Sequence, residues 1–205
     1  MANRYAVATG LWSDVATWDG GTTLPTSGDT VRSNTYVVTI DQDVNLGAGT
    51  LRNDGSAPAV AGGYFITSGT RVITVGSLTA VYTPQPILFI KAGTTSTVNS
   101  NVTGHTLSTS YGPLYLETGS TCTLNGNVIG GAGSQSDGII MESGCTLTVN
   151  GDVAGGTHTS AAVGIVTAAS CTVNINGNVT ATNGSGAYAL NLATGGTATI
   201  VGNVT

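Results

Sequence analysis

Residues 116–130 read LETGSTCTLNGNVIG, and residues 141–155 read MESGCTLTVNGDVAG. The second stretch repeats the first about 25 residues later, with Glu117 and Glu142 at matching places. Extending the comparison outward, an apolar residue after an Asn-rich turn recurs at Val44, Leu78, Val102, Val128, Val153, Val179 and Val204. The intervals are 34, 24, 26, 25, 26 and 25 residues, the first long enough to hold an insertion around NDGSAPAVAGG (53–63). A fixed period of this length is the mark of a stacked repeat architecture.

The columns show what is stacked. Nine places before the last five anchors stand Gly93, Gly119, Gly144, Ser170 and Gly195, where a turn wants a small residue. Four places before stand Val98, Leu124, Val149, Ile175 and Ile200, and six before stand Ser96, Cys122, Leu147, Val173 and Ala198. Fourteen before come Leu88, Leu114, Ile139, Ile165 and Leu190, and twelve before come Ile90, Leu116, Met141, Thr167 and Leu192. Alternation with period two puts each set on one face of a short strand. Such a strand buries little alone, whereas equivalent strands stacked about 4.8 Å apart share a continuous core. The expected fold is all-β, a right-handed parallel β-helix of about seven coils and roughly 30–35 Å of stack. Residues 1–30 are read as an amino-terminal cap and 31–205 as one continuous domain of coils.

Two asparagine columns accompany the strands. Asn101, Asn127, Asp152, Asn178 and Asn203 precede the anchors directly, and Asn99, Asn125, Asn150 and Asn176 lie two places earlier. Asn tolerates the left-handed backbone and bonds neighbouring amides, so the first set is expected to form a structural ladder. It resembles the asparagine ladder of right-handed β-helices such as the pectate lyases, a likeness of architecture alone.

Composition limits the function classes. Only 7% of the 205 residues are charged, 31 are Gly and 40% are apolar. That apolar share argues against disorder. The formal net charge is −5, the cations Arg4, Arg32, Arg52, Arg71 and Lys91 all fall in the first 91 residues, and no charged side chain follows Asp152. No basic patch exists to neutralise a phosphate backbone, so nucleic acid is not an expected partner. No apolar run reaches the eighteen or so residues of a membrane span. MANRYAVATGLW has no basic n-region followed by an apolar core, so no secretory signal is read there.

Residues 11–55 break the repeat. Trp12 and Trp18 stand ahead of the first coil, as a cap over an otherwise open core would require. The order of Trp12, Trp18, Pro25, Gly28, Asp29, Val31, Val38, Ile40, Val44 and Leu51 resembles the opening of bacteriophage virion structural and fibre proteins. More distantly it resembles the G8 type of β-helical surface domain. The resemblance implies a non-enzymatic virion protein: a tail fibre, head fibre or capsid decoration subunit, made in the host cytoplasm. It would contact other virion proteins and adhere to host or surface glycans. Homo-oligomers are expected, trimers first, because the charge-free carboxy-terminal coils need cover.

Three groups are candidates for chemistry or contact. Glu117 and Glu142 share a column with Lys91 and Ala168, and stacking would set the carboxylates about 5 Å apart, near the spacing of a retaining glycosidase pair. A tailspike-like glycan depolymerase is therefore the enzyme alternative. With Phe, Trp and Tyr numbering 11 in all and no aromatic cleft foreseen around the pair, a surface Lys–Glu–Glu ladder is the expected reading. Thr95, Thr97, Thr121, Thr123, Thr146, Thr148, Thr197 and Thr199 form outward T-x-T rows, broken at Thr172-x-Asn174. These rows are read as a candidate contact face, and they resemble the ice-binding surface of antifreeze β-solenoids, so an ice- or carbohydrate-binding solenoid is the binding alternative. His105 and His158 lack ligand-spaced partners, and no metal or cofactor is expected. Cys145 and Cys171 share a column within disulfide range of each other, although free buried thiols are the reading for a reducing compartment.

Overall fold

The computed structural model describes residues 2–54, 63–79, 85–105, 112–133, 136–158, 162–182 and 188–205. It is an all-β parallel solenoid of about six turns with an amino-terminal cap. The first face stacks β2 (Gly10–Leu11), β4 (Val37–Ile40), β7 (Tyr64–Thr67), β9 (Leu88–Ile90), β11 (Leu114–Leu116), β14 (Ile139–Met141), β17 (Ile165–Thr167) and β20 (Leu190–Asn191). A second sheet wraps the other two faces, because β8 (Arg71–Thr79) and β10 (Thr95–Thr103) run through the corner between them. On the second face lie β5 (Val44–Asn45), the first halves of β8 and β10, β12 (Thr121–Leu124), β15 (Thr146–Val149), β18 (Thr172–Ile175) and β21 (Thr197–Ile200). The third holds β1 (Asn3–Tyr5), β3 (Thr30–Arg32), β6 (Thr50–Arg52), the second halves of β8 and β10, β13 (Val128–Ile129), β16 (Val153–Ala154) and β19 (Val179–Thr180).

Six turns carry a strand on every face. The seventh closes its third face with only an isolated bridge between Val179 and Val204, so the expected count of about seven shrinks by one incomplete turn. The register is the one the columns require: Cys122 lies opposite Leu147, Leu147 opposite Val173, and Val98 opposite Leu124. Val98, Leu124, Val149 and Ile175 are fully buried, as are Leu88, Leu114, Ile139 and Ile165 on the opposing face. Burying each such side chain is worth about 1.5–3 kcal/mol, so the core of this thin solid is the sum of its columns.

One column was misread. Val44 pairs with Ile73, while Leu51 is the partner of Leu78. Val44 therefore belongs with Val98, which also pairs with Ile73. The steps along the anchor column are 20 residues from Val31 to Leu51 and 27 from Leu51 to Leu78, and the apparent 34-residue interval disappears. A buried β-branched residue after acidic or amide residues looks the same at either corner of a coil, so local sequence could not choose. Most of the expected insertion, residues 55–62, falls outside the described residues.

Two kinds of tight turn hold the coils in step. Gly93, Gly119, Gly144 and Gly195 have φ between +67° and +75°, and Ser170 occupies the same left-handed position at +59°. At the other corner the constraint is space. A Cβ on Gly126, Gly151, Gly177 or Gly202 would sit 2.0–2.3 Å from a carbonyl oxygen of the preceding coil. These turns are stacked backbone on backbone.

The cap is a partial layer stacked ahead of these turns. β1 and β2 pair in parallel with β3 and β4, and Ala6 bridges Trp18 in antiparallel. Trp12 and Trp18 are buried edge to face at 4.9 Å, Trp12 also meets Phe65 at 6.1 Å, and the Trp18 indole N–H donates to the Trp12 carbonyl at 3.0 Å. Asp29 ties the start of the chain down by accepting from the Ala2 and Thr26 backbone N–H groups at 3.1 and 3.0 Å.

These contacts predict a graded series in thermal unfolding. Gly177→Ala forces backbone apart and should cost about 1–3 kcal/mol. Gly144→Ala has open space around its Cβ and should cost only the left-handed strain, about 1–2 kcal/mol. Val149→Asp buries an unpaired charge and should abolish the cooperative transition. Equal effects for all three would contradict the stacking described.

Candidate functional site

The carboxylate column begins earlier than the repeat suggested. Ile40, Thr67, Leu116 and Met141 are the last buried residues of their first-face strands, and the residues after them are Asp41, Ser68, Glu117 and Glu142. Ser68, Glu117, Glu142 and Ala168 each donate their backbone N–H to the preceding coil at equivalent positions, which shows that they stack. Asp41 was not foreseen. Its signal was present, an apolar residue followed by an acid at the strand end, but the misplaced first coil hid it.

Each acid reaches back one coil. Asp41 accepts from the Ser13 N–H at 3.0 Å and from its hydroxyl at 2.5 Å. Glu117 accepts from the Ala92 N–H at 3.0 Å. Glu142 takes the Thr118 N–H at 2.9 Å and hydroxyl at 2.6 Å on one oxygen, and the Tyr115 hydroxyl at 2.9 Å on the other. Lys91, Glu117 and Glu142 follow the stacked residues Ile90, Leu116 and Met141, in the column the repeat indicates, and the acids in it bind turn N–H groups; the ion pairs among the described residues are Arg4–Asp29, Arg32–Asp54 and Arg52–Asp54. A charged acceptor suits these donors because a carboxylate takes a stronger hydrogen bond from a turn N–H than a neutral acceptor does.

The chemistry follows from the partners. Hydrogen bonds from the Thr118 hydroxyl, the Tyr115 hydroxyl and the Thr118 N–H hold the Glu142 carboxyl below its ordinary pKa. A general acid for glycoside cleavage needs the opposite shift.

An aromatic row beside this column was missed. Tyr64, Phe89 and Tyr115 project from the first face with centroids 4.6 and 5.1 Å apart, and Ile140 and Val166 continue the row in register. The rings are tilted by 52° and 44° and half-buried against one another, so they form a packed ladder rather than an open stacking platform. The available signal was Phe89 and Tyr115, outward aromatics one coil apart in register, whereas Tyr64 meets Phe89 diagonally because Ile66 is the register partner of Phe89.

On the second face the structure brings the T-x-T rows together as expected. Thr95, Thr121, Thr146, Thr172 and Thr197 stack in register, and so do Thr97, Thr123, Thr148, Asn174 and Thr199. Their strands alternate buried and accessible residues with the threonines outward. Beside them runs an exposed amide ladder: Asn125, Asn150 and Asn176 each donate through Nδ2 to Oδ1 of the asparagine one coil earlier at 2.7 Å. The other column, Asn101, Asn127, Asp152, Asn178 and Asn203, works differently. Each Oδ1 accepts the backbone N–H of the next member, at 2.7–3.0 Å. Both columns join coils, but side-chain to side-chain bonding belongs to the one at Asn99.

His105 is buried and His158 half-exposed, and among the described residues no three His, Cys, Asp or Glu side chains converge as a metal site would require. Cys122, Cys145 and Cys171 are free and buried.

The acids make stability depend on pH. Burial raises Asp29 and Asp41, but hydrogen bonds from Thr26 and Ala2 to the first, and from Ser13 to the second, outweigh it and leave both lowered, as Glu142 is. Their contribution is complete above the ordinary carboxylate range, about 3.9–4.3, and is lost as pH falls through the depressed folded values. Asp137 has the opposite sign, since burial outweighs its bond from the Val163 N–H and raises it. Through Asp29, Asp41 and Glu142, Tm should fall as pH drops below about 4, and Asp41→Asn with Glu142→Gln should flatten that fall. A pH profile unchanged in the double variant would show that these carboxylates do not clasp the coils. Compared with known proteins, the chain matches no family model, no curated protein and no solved structure.

Proposed function

We propose that the chain is a non-enzymatic structural component of a bacteriophage virion, a tail fibre, head fibre or capsid decoration subunit. One observation carries the structural part: the distinctive polar columns are engaged in joining one coil to the next. Asp41, Glu117 and Glu142 bind turn groups of the preceding coil, and the asparagines bond along the stack. A rod stiffened in this way suits a spacer or a presented surface. The virion assignment rests on the amino-terminal segment around Trp12, Trp18 and Asp29 and its resemblance to phage proteins.

Assembly with further subunits belongs to the same proposal. No Asp, Glu, Lys or Arg follows Asp152, and the outward threonine rows on these coils are uncharged, which favours side-by-side cover by another virion protein or a second copy. A homotrimer is the arrangement proposed for copies of this chain, with host or surface glycans as the adhesive target.

A second reading is favoured by the threonine face. Nine Thr and one Asn occupy two registered columns on a flat, uncharged surface, a regular array suited to ordered water or sugar hydroxyls. Freezing-point hysteresis abolished by Thr123→Tyr would favour it over the virion role.

The main test is localisation in purified particles, together with Glu117→Gln/Glu142→Gln. The expected result is a virion-bound protein whose double variant still assembles and adheres. A wild type that cleaves host polysaccharide, with cleavage lost in the double variant, would replace the proposal with the depolymerase. Light scattering that gives only monomer at high concentration would remove the trimer.

A further inference from the structure

We infer that Cys145 and Cys171 are a redox-controlled staple, joining adjacent coils as an intramolecular disulfide when the protein meets a small-molecule disulfide oxidant. Cys145 directly precedes β15 and Cys171 directly precedes β18, and Thr146 lies opposite Thr172 in parallel register. The two cysteines therefore occupy one column a single coil apart. Neighbouring strands are separated by about 4.8 Å, inside the Cα separation that a disulfide spans. Both side chains point into the stack, 0% and 1% exposed.

The column provides its own measure of reach. Ser120 precedes β12 as Cys145 precedes β15, and its hydroxyl oxygen lies 3.6 Å from the Cys145 sulfur. Cys145 and Cys171 stand in the same one-coil relation. Each thiol also donates to a carbonyl of the coil before it, Cys145 to Glu117 at 3.1 Å and Cys171 to Glu142 at 2.9 Å. The Cys171 sulfur is thereby directed toward the coil that carries Cys145. Cys122 lies in another inward column, where burial pushes its thiol up to about 12, and it serves as an internal control.

The exchange is balanced in two steps. The Cys171 thiolate attacks one sulfur of the oxidant, forming a mixed disulfide and releasing one small thiol. The Cys145 thiolate then displaces the second small thiol and closes the protein disulfide, so the protein loses two hydrogens and the oxidant gains them. Cys171 is assigned as the first attacker because the turn before it holds Ser170 at φ +59°, where its neighbours hold glycine, and a side chain in the left-handed region carries strain that local opening would relieve.

The test uses the full chain treated with oxidised glutathione. Of three thiols titratable in denaturant, one should remain, the intact mass should fall by two hydrogens, and digestion should give a peptide linking Cys145 to Cys171. The oxidised protein should melt at higher temperature, with the shift reversed by dithiothreitol. Cys122→Ser should retain the linkage and the shift, whereas Cys145→Ser should lose both. Serine at 145 repeats what the column already holds at Ser120, so this variant should fold. Retention of all three thiols, a linkage through Cys122, linkage between chains, or a melting shift that survives Cys145→Ser would each overturn the staple.

Discussion

Parallel in-register stacking of coil on coil is the constraint from which the other features follow. Each strand receives its backbone hydrogen bonds from the equivalent strand one turn away, as where Asn125 donates to the Val98 carbonyl and Asn150 to the Leu124 carbonyl, both at 2.8 Å. Every side chain consequently sits about 4.8 Å from its equivalent in the next coil. A residue is acceptable only if it tolerates a near copy of itself at that distance.

That condition accounts for the composition. Like charges in one column would repel along the whole stack, which favours a chain that is only 7% charged. Asparagine is self-complementary, since its amide can donate to one neighbour and accept from another, so an exposed amide column lengthens without penalty. The consecutive acids Glu117 and Glu142 satisfy the condition another way. Each turns from its neighbour toward turn N–H groups of the preceding coil, where a negative charge is useful. Glycines at 126, 151 and 177 meet the strictest form of the rule, with backbone lying on backbone and no room for a Cβ. The same rule sets Ser120, Cys145 and Cys171 above one another and makes two thiols neighbours.

The ends of the stack escape this self-matching, and each shows a different consequence. Toward the amino end Trp12 and Trp18 are buried in the core and bring their own hydrogen bond, so large aromatics stand where later coils have stacked aliphatic columns. At the other end the column residues Leu192 and Val204 are left exposed although their equivalents one coil earlier, Thr167 and Val179, are buried. Sequence alone shows these residues as ordinary members of their columns. Their exposure depends on whether another layer follows.

The period, the inward columns and the left-handed turns were legible because a solenoid writes its vertical contacts as residues spaced about 25 apart. The buried stack of Val98, Leu124, Val149 and Ile175, the turn at Ser170 and the outward threonines could all be read in this way. The structure alone decided where the irregular first coils bend, and so moved Val44 out of the anchor column and Asp41 into the acid column. It also decided what the acids hold and which asparagine column bonds to itself. The physical reason is that period fixes which residues stack but not the direction a side chain takes. A carboxylate at a coil corner can pair with its neighbour, face solvent or reach back to a turn amide, and only the three-dimensional position of Thr118, Tyr115 and Ser13 selects the last.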